Sequence, residues 1–357
     1  MRLMELCAFA LVAAMTSQAA AQEISARISP ERPYAEPVRQ GQALNFDIIV
    51  QNSGAVPAEL SGIKVTFEDA QGSALLMREV DGNGSAPGLE AVPNRSVAPG
   101  EERMILNPFP VISSDLRVAR VHARLSFRLE GQEAPVEVET SATLNAGPAM
   151  VLALPARGDL HVWSAHDLMA HHRRFDYALP PLKAFGMVSN SGRYAYDLVV
   201  LDNQGRRAVG DESVETNWVG FGAPVVAPVT GVVVEARADM PDNGEWNPET
   251  LPTDPNVLFG NHVIIEHNGA YVVLAHLKQD SVRVAVGDRV REGQVIGAVG
   301  HSGSSLFPHL HVQVMDGRDA HSEGVPSVFA GFERRAGERT IRVREGSVET
   351  GDYIRAR

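Results

Sequence analysis

Phe307-Pro308-His309-Leu310-His311-Val312-Gln313-Val314 alternates apolar and polar residues after a proline, the period-2 pattern of a β-strand. Residues i and i+2 of a strand share a face, so His309 and His311 project side by side. Two imidazoles on one wall can both bind a metal ion, or one can bind it while the other handles a proton. Taken alone, the pattern also suits two surface histidines on an edge strand. Its neighbours narrow the choice. Upstream lie Val286-Gly287-Asp288-Arg289-Val290-Arg291-Glu292-Gly293-Gln294-Val295-Ile296-Gly297 and Gly300-His301-Ser302-Gly303, and before them Val273-Leu274-Ala275-His276-Leu277 adds a third histidine.

A chain of 357 residues is long enough for two ordinary domains, and 44% hydrophobic with 21% charged residues is a globular composition. The net charge of -12 argues against nucleic-acid binding, which calls for a basic patch. Residues 1–21 read as an export signal: Arg2 is followed by the apolar run Leu6 to Met15, and Ala19-Ala20-Ala21 offers small residues for cleavage before Gln22. That run is too short for a membrane span. Cys7, the single cysteine, lies inside this segment, so the exported chain has no disulfide, no thiolate metal site and no cysteine nucleophile. Any metal must be held by nitrogen and oxygen.

Residues 22–146 read as an immunoglobulin-like β-sandwich. Leu44, Phe46, Ile48 and Val50 alternate with polar residues, as do Ile63, Val65 and Phe67, and Leu125, Phe127 and Leu129. Turn signals such as Asn52-Ser53-Gly54 and Pro99-Gly100 separate them. A boundary is expected near Asn145-Ala146-Gly147-Pro148. Beyond it, from His161 to His321, lie all of the 12 histidines except His122, a compositional marker for a metal or proton-transfer site. Gly192 to Val200 predicts a strand carrying Asp197 on the same side as Arg193, and a carboxylate in so apolar a strand is costly to bury unless paired or metal-bound. Asp239 to Leu258, rich in Pro, Asp and Asn, predicts a long surface loop. Gly260 to Ile265 and Ala270 to His276 predict a hairpin around Asn268-Gly269. No long amphipathic helix is expected, and the fold class is all-β, with 147–335 an antiparallel sheet domain and 336–357 a C-terminal β extension.

A catalytic zinc takes three protein ligands and keeps a fourth position for water, whose pKa it lowers from about 15.7 towards 7. Two imidazoles and a carboxylate would make such a site without cysteine. The pieces Gly222-Ala223-Pro224-Val225-Val226-Ala227 with Gly231, Gly260-Asn261, Ala275-His276-Leu277, Gly287 to Gly297 and Pro308-His309-Leu310-His311 occur in one order. Over Gly222 to Asp316 the chain resembles the lysostaphin-type (LytM-like) zinc metallopeptidases, peptidoglycan endopeptidases. The resemblance leaves the N-terminal domain uncovered.

Matched by position, the resemblance implies that His311 and Asp197 are zinc ligands and that His276 and His309 are the catalytic pair that activates water and stabilises the oxyanion. The family pattern also has a ligand histidine four residues before the aspartate. Here that position is Arg193, which stays protonated and cannot bind zinc. The third ligand must come from elsewhere. His172 is the candidate, returned towards Asp197 by an adjacent strand, with His171 the alternative. Arg173 and Arg193 suit structural salt bridges, with a bidentate hold on a substrate carboxylate the alternative. His262, His267 and His301 suit structural or surface positions, and His161, His166 and His321 could line a cleft but belong to no motif.

The expected activity is an exported zinc metalloendopeptidase of the periplasm or cell envelope, hydrolysing peptidoglycan cross-links or stem peptides with a metal-activated water and Zn2+ as cofactor. Its partners would be the cell-wall peptide and a protein docked on the N-terminal domain, with no nucleic acid and no membrane span. Two other readings fit parts of the sequence. One is an inactive LytM-like protein that binds cell wall or activates another hydrolase. The other is a biotinyl or lipoyl carrier, from the Gly287 to Gly297 pattern, whose only nearby lysine is Lys278.

Overall fold

The structure, a computed structural model, describes residues 23–145 and 150–356. The expected export signal with Cys7, and most of the expected boundary, lie outside those residues. The chain divides into two compact units. One holds Gln40–Gly147 with the stretch up to Ala35, and the other holds Glu36–Arg39 and Pro148–Arg357.

The first unit is an antiparallel β structure with two main sheets, beside which Gly41–Leu44 pairs with Val111–Ile112. Ile24–Ser29, Asp47–Asn52 and Glu102–Leu106 form one sheet. Val136–Thr143, Arg120–Leu129, Ala58–Glu68 and Ala74–Asp81 form the other, with Ser96–Val97 also paired to Ala58–Glu68. Alternation decides which side chains meet. Val121, Ala123, Leu125, Phe127 and Leu129 are buried while Arg120, Arg124 and Arg128 face solvent. They join Ile28, Ile48, Val50 and Ile105 in one core. Burying each such side chain contributes about 1.5–3 kcal/mol.

The second unit is built on an 11-stranded sheet. Its order is Met150–Ala153, Ser327–Ala336, Tyr353–Ala356, Asp159–Ser164, Tyr196–Leu201, Leu310–Met315, Ala270–Leu277, Asn261–His267, Gly231–Arg237 and Arg289–Val290, with Arg339–Gly346 paired to Ser327–Ala336. All pairs are antiparallel except one: Met150–Ala153 runs parallel to Ser327–Ala330. Residues 336–357 thus contribute two strands of the main sheet, one of them inserted beside Asp159–Ser164. The expected Asn268-Gly269 hairpin is present, and both turn residues have the positive φ of a type I′ turn (52° and 82°).

Three central strands carry the site. On one face Leu198, Val200, Val272, Leu274, Leu310, Val312 and Val314 enter the unit's core. Asp197, His311 and Gln313 point the other way. All six residues of Tyr196–Leu201 and of Leu310–Met315 are buried, so both faces of this sheet centre are covered.

Three local expectations change. The strand with Asp197 starts at Tyr196, because Arg193 N–H bonds to Asn190 O and Ala195 N–H to Gly192 O, closing turns just before it. Arg193 therefore does not share a strand face with Asp197. The 239–258 stretch is not wholly superficial: Leu251 and Val257, with Phe259 beyond, are buried around two short 3-10 turns, Pro248–Thr250 and Pro255–Phe259. His172 sits in a run of turns before the five-residue helix Pro180–Ala184, not on a strand.

Candidate metal centre

Asp197 and His311 are direct cross-strand partners, and His311 is also opposite Ala275, the neighbour of His276. His309 enters through a bridge to Gly300, whose N–H in turn bonds to His276 O. The sheet thus places four groups within a few ångströms, and the turn after His166 adds His171 and His172. His172 Nε2 lies 3.1 Å from both Asp197 oxygens, and His311 Nδ1 lies 3.1 Å from Oδ1. His309 Nε2 is 3.3 Å from Oδ1 and His171 Nε2 is 3.4 Å from Oδ2. His276, His309 and His311 form a second cluster of mutually close nitrogens.

The outer nitrogens decide what the inner ones offer. His276 Nδ1 faces Ser302 O at 2.9 Å, and His309 Nδ1 faces Phe307 O at 2.8 Å. A carbonyl only accepts, so both Nδ1 atoms carry the proton and each neutral ring is bare at Nε2. His311 Nε2 donates to Gln313 Oε1 at 2.8 Å, which leaves Nδ1 bare towards Asp197. Lone pairs of nitrogen and carboxylate facing at 3.1 Å are repulsive unless positive charge lies between them. Donors around a tetrahedral zinc, bound at about 2.0–2.2 Å, stand about 3.3–3.5 Å apart. His172 and His311 each stand near that distance from Asp197, so these three residues offer an N,N,O donor set of a kind that could hold a divalent ion.

The electrostatics follow from burial and these contacts. Burial works to raise the Asp197 carboxyl, but the imidazoles of His172 and His309 outweigh it and hold it well below the usual carboxylate range. Burial pushes His172 down to about 4 against the pull of Asp197. Burial, with His309 and His311 beside it, holds His276 well below the usual histidine range. Burial also works to lower His309, yet the Asp197 charge and hydrogen bond raise it above the usual value.

His276 has φ 58°, a left-handed backbone that costs about 1–3 kcal/mol for a residue with a Cβ. Its surroundings hold it there. Leu277 O, the next carbonyl, accepts from Asn261 Nδ2 at 3.1 Å and from Ser302 Oγ at 2.8 Å. Ser302 Oγ in turn accepts from Asn261 N–H. Gly260 and Gly303 cross so closely that a Cβ on Gly303 would stand 2.3 Å from Gly260 N.

Arg193 makes a two-pronged salt bridge to Glu323, Nε to Oε1 at 2.7 Å and Nη2 to Oε2 at 3.2 Å. Its guanidinium is wholly buried there. The remaining histidines serve elsewhere: His262 bonds Glu235, His267 bonds Thr230 O, His301 bonds Ser305 O, His321 bonds Phe185 O, and His161 stacks on Tyr353. Beside the cluster opens a cavity of about 250 Å³ lined by His172, His276 and His311 and by apolar side chains including Phe175, Leu182, Trp246 and Phe259. Sequence reading did not single out Gln313 or Ser302. Gln313 carries a usable signal, since it lies two residues after His311 on the same strand face.

Residues 218–323 match the model of Peptidase family M23. Over that span the chain is similar to M23 peptidases. The matched span contains His276, His309 and His311, while His172 and Asp197 precede it. Among curated proteins, the chain is similar to the peptidoglycan DD-endopeptidase ShyB of Vibrio cholerae, 27% identical over 175 residues, 48% of this chain and 37% of ShyB. It is 38% identical to the peptidoglycan DD-endopeptidase ShyC of the same organism over 61 residues, 17% of this chain and 14% of ShyC. The chain thus spans well under half the length of either relative. Among solved structures, the catalytic domain of lysostaphin from Staphylococcus simulans is 20% identical, covering 47% of this chain and 88% of that domain with a TM-score of 0.25.

Proposed function

We propose that the protein is an exported zinc metalloendopeptidase that hydrolyses peptide bonds in peptidoglycan cross-links or stem peptides. The observation that carries this reading is the inward set of nitrogens on Asp197, two of them left bare by hydrogen bonds behind them, around a buried carboxylate. His172, Asp197 and His311 would hold the ion. Bound there, zinc supplies Lewis acidity and lowers the pKa of a water to near neutrality.

The chain's own groups do the rest. His276 is neutral and bare at Nε2, so it can take the proton of the attacking water. His309, oriented by the Phe307 carbonyl behind it, can when protonated present an N–H at Nε2 to the oxyanion that develops on the scissile carbonyl. Fixed Nδ1 contacts keep both rings oriented, so little reorganisation accompanies the reaction. The cavity lined by Phe175, Leu182 and Trp246 receives substrate next to these groups and keeps bulk water from one side of them. Substrate class rests on the relatives named peptidoglycan endopeptidases, and export rests on the reading of residues 1–21.

The competing reading, an inactive relative, rests on Arg193 standing where a ligand histidine is expected. The Arg193–Glu323 pair gives that arginine a structural use, and His172 takes up the position beside Asp197. The deciding experiment is digestion of purified cell wall by the full chain. Release of peptide fragments is expected, lost on chelation, restored by zinc and lost in His309→Ala. Cleavage that persists without metal, or a zinc-loaded chain that cuts nothing, overturns the proposal.

A further inference from the structure

Glu36 belongs by sequence to the stretch before the first unit's core, yet it is packed within the second. Its carboxylate Oε2 lies 2.7 Å from His166 Nδ1, with both residues buried. The His166 ring packs at 4.2 Å on Tyr196, the neighbour of Asp197, and edge-on to Tyr194 at 5.3 Å. His166 opens the run of turns that delivers His171 and His172.

The flanking contacts close a ring around this point. Arg39 grips Asp352 through Nη2 at 2.6 and 2.8 Å and reaches Glu349 at 3.3 Å. That same 349–352 turn grips the loop's root: Thr350 Oγ1 accepts from Ala165 N–H at 3.1 Å, and Thr350 N–H donates to Asp167 Oδ2 at 2.8 Å. Residues 36–39, the 349–352 turn and residues 165–167 therefore hold one another. Farther along the loop, Arg173, next to His172, is fully buried, and Asn190 Nδ2 donates to His172 O at 2.8 Å.

We infer that Glu36 is a positioning residue for the metal site: through His166 it fixes the root of the loop that brings His172 to Asp197. The inference rests on the metal reading above and adds to it a part for residues far outside the matched M23 span. A buried carboxylate–imidazole pair at 2.7 Å is a strong, directional contact, and the side chains that orient metal ligands typically matter by about 10–100-fold in metal affinity. A loop without such a root would place His172 in several positions and share the ion's affinity among them.

The test is zinc affinity of the full-length chain, measured by competition with a chromogenic chelator, for wild type, Glu36→Ala, Glu36→Gln and Arg39→Ala. Glu36→Ala should weaken zinc binding about 10–100-fold, the range for an orienting partner. Glu36→Gln still offers an acceptor to the imidazole and should recover most of that loss. Arg39→Ala frees residues 36–39 at their exposed end without emptying a buried site, so it tests the ring even if Glu36→Ala folds poorly. Its expected effect is a weaker loss in the same direction. Zinc affinities of Glu36→Ala and Arg39→Ala within about twofold of wild type would overturn this inference alone, since that lies well inside the orienting range. A wild-type chain that binds no zinc would overturn the metal reading and this inference with it.

Discussion

Asp197 and His311 face one another across adjacent antiparallel strands, with His311 Nδ1 3.1 Å from Asp197 Oδ1. Because Gln313 draws the ring's proton to the far nitrogen, the two near atoms are both electron-pair donors. Sheet geometry fixes their separation, since directly opposed residues of an antiparallel pair keep their Cβ atoms about 4.5–5.5 Å apart. A donor pair set by backbone register is stiff. The loop that carries His172 has no such constraint, which makes it the adjustable side of the site.

His171 and His172 should separate cleanly on substitution. His172 touches both carboxylate oxygens and is mostly buried, whereas His171 is 61% exposed at its side chain and reaches one oxygen at 3.4 Å. His172→Ala is expected to lower zinc affinity by more than ~100-fold, beyond the loss of an orienting partner, and His171→Ala by less than ~10-fold. Zinc titration of both variants measures the difference. Equal losses would mean that the doublet shares the ion.

Gln313 should behave as the setter of the His311 tautomer. Gln313→Leu keeps the side chain's approximate size but removes the acceptor, and is expected to weaken zinc binding by about 10–100-fold. Gln313→Glu keeps an oxygen within reach of Nε2 and should bind zinc at least as well as wild type. The ratio of the two affinities is the measurement; a leucine variant with undiminished affinity would leave Gln313 a packing residue only.

The glycine crossing behind His276 should be intolerant of any side chain. Gly303 has φ 72°, and an added Cβ would press against Gly260 N at 2.3 Å and Gly260 Cα at 2.6 Å. Gly303→Ala should cost about 3 kcal/mol or more, among the large single-site effects. It should also shift His276, lowering kcat more than it raises KM. Thermal unfolding together with steady-state kinetics checks both.

Stability of the metal-free chain should depend on pH with two opposite slopes. His172 is depressed to about 4, so between the ordinary 6.5 and that value the unfolded chain holds more protons than the folded one. Acidification through this window therefore destabilises the fold. His309 is raised, so its contribution is complete below 6.5 and is lost as pH climbs through the elevated folded value. Thermal midpoints across pH, for wild type and His309→Gln, are expected to show the alkaline slope flattened in the variant. An unchanged alkaline slope would contradict the assigned interaction with Asp197. A cation on Asp197 should also flatten it, because the charge that raises His309 is then neutralised.

Much of this architecture follows from local patterns. The alternation in Phe307 to Val314 and in Arg120 to Leu129 depends only on which neighbours point inward. Arg120–Leu129 is a strand throughout, whereas the other stretch becomes one only at Leu310, with His309 in an isolated bridge just before it. Asp197 stood out because a charge within Tyr196–Leu201 conflicts with its apolar surroundings. The path to His172 leaves the adjacent strand Asp159–Ser164 and continues through turns, which leave no periodicity to read. The Tyr196 start is not legible either, because the Asn190 and Gly192 turn bonds are set by main-chain geometry. Leu251 and Val257 are buried within a polar stretch whose sparse apolar residues show no period to read. Glu36 lies 130 residues from His166, and no local signal links two groups at that distance.

The Tyr353–Ala356 strand lies between Ser327–Ala336 and Asp159–Ser164, in the interior of the sheet's strand order. During synthesis every other strand of that sheet leaves the ribosome before this one. Until it arrives, two facing edges stay open, and open edges invite pairing with other chains. Completion of the unit thus waits on its most C-terminal strand, a long-range closure of the kind that slows folding. The sheet therefore stays incomplete until residue 356 has been made and is free to pair.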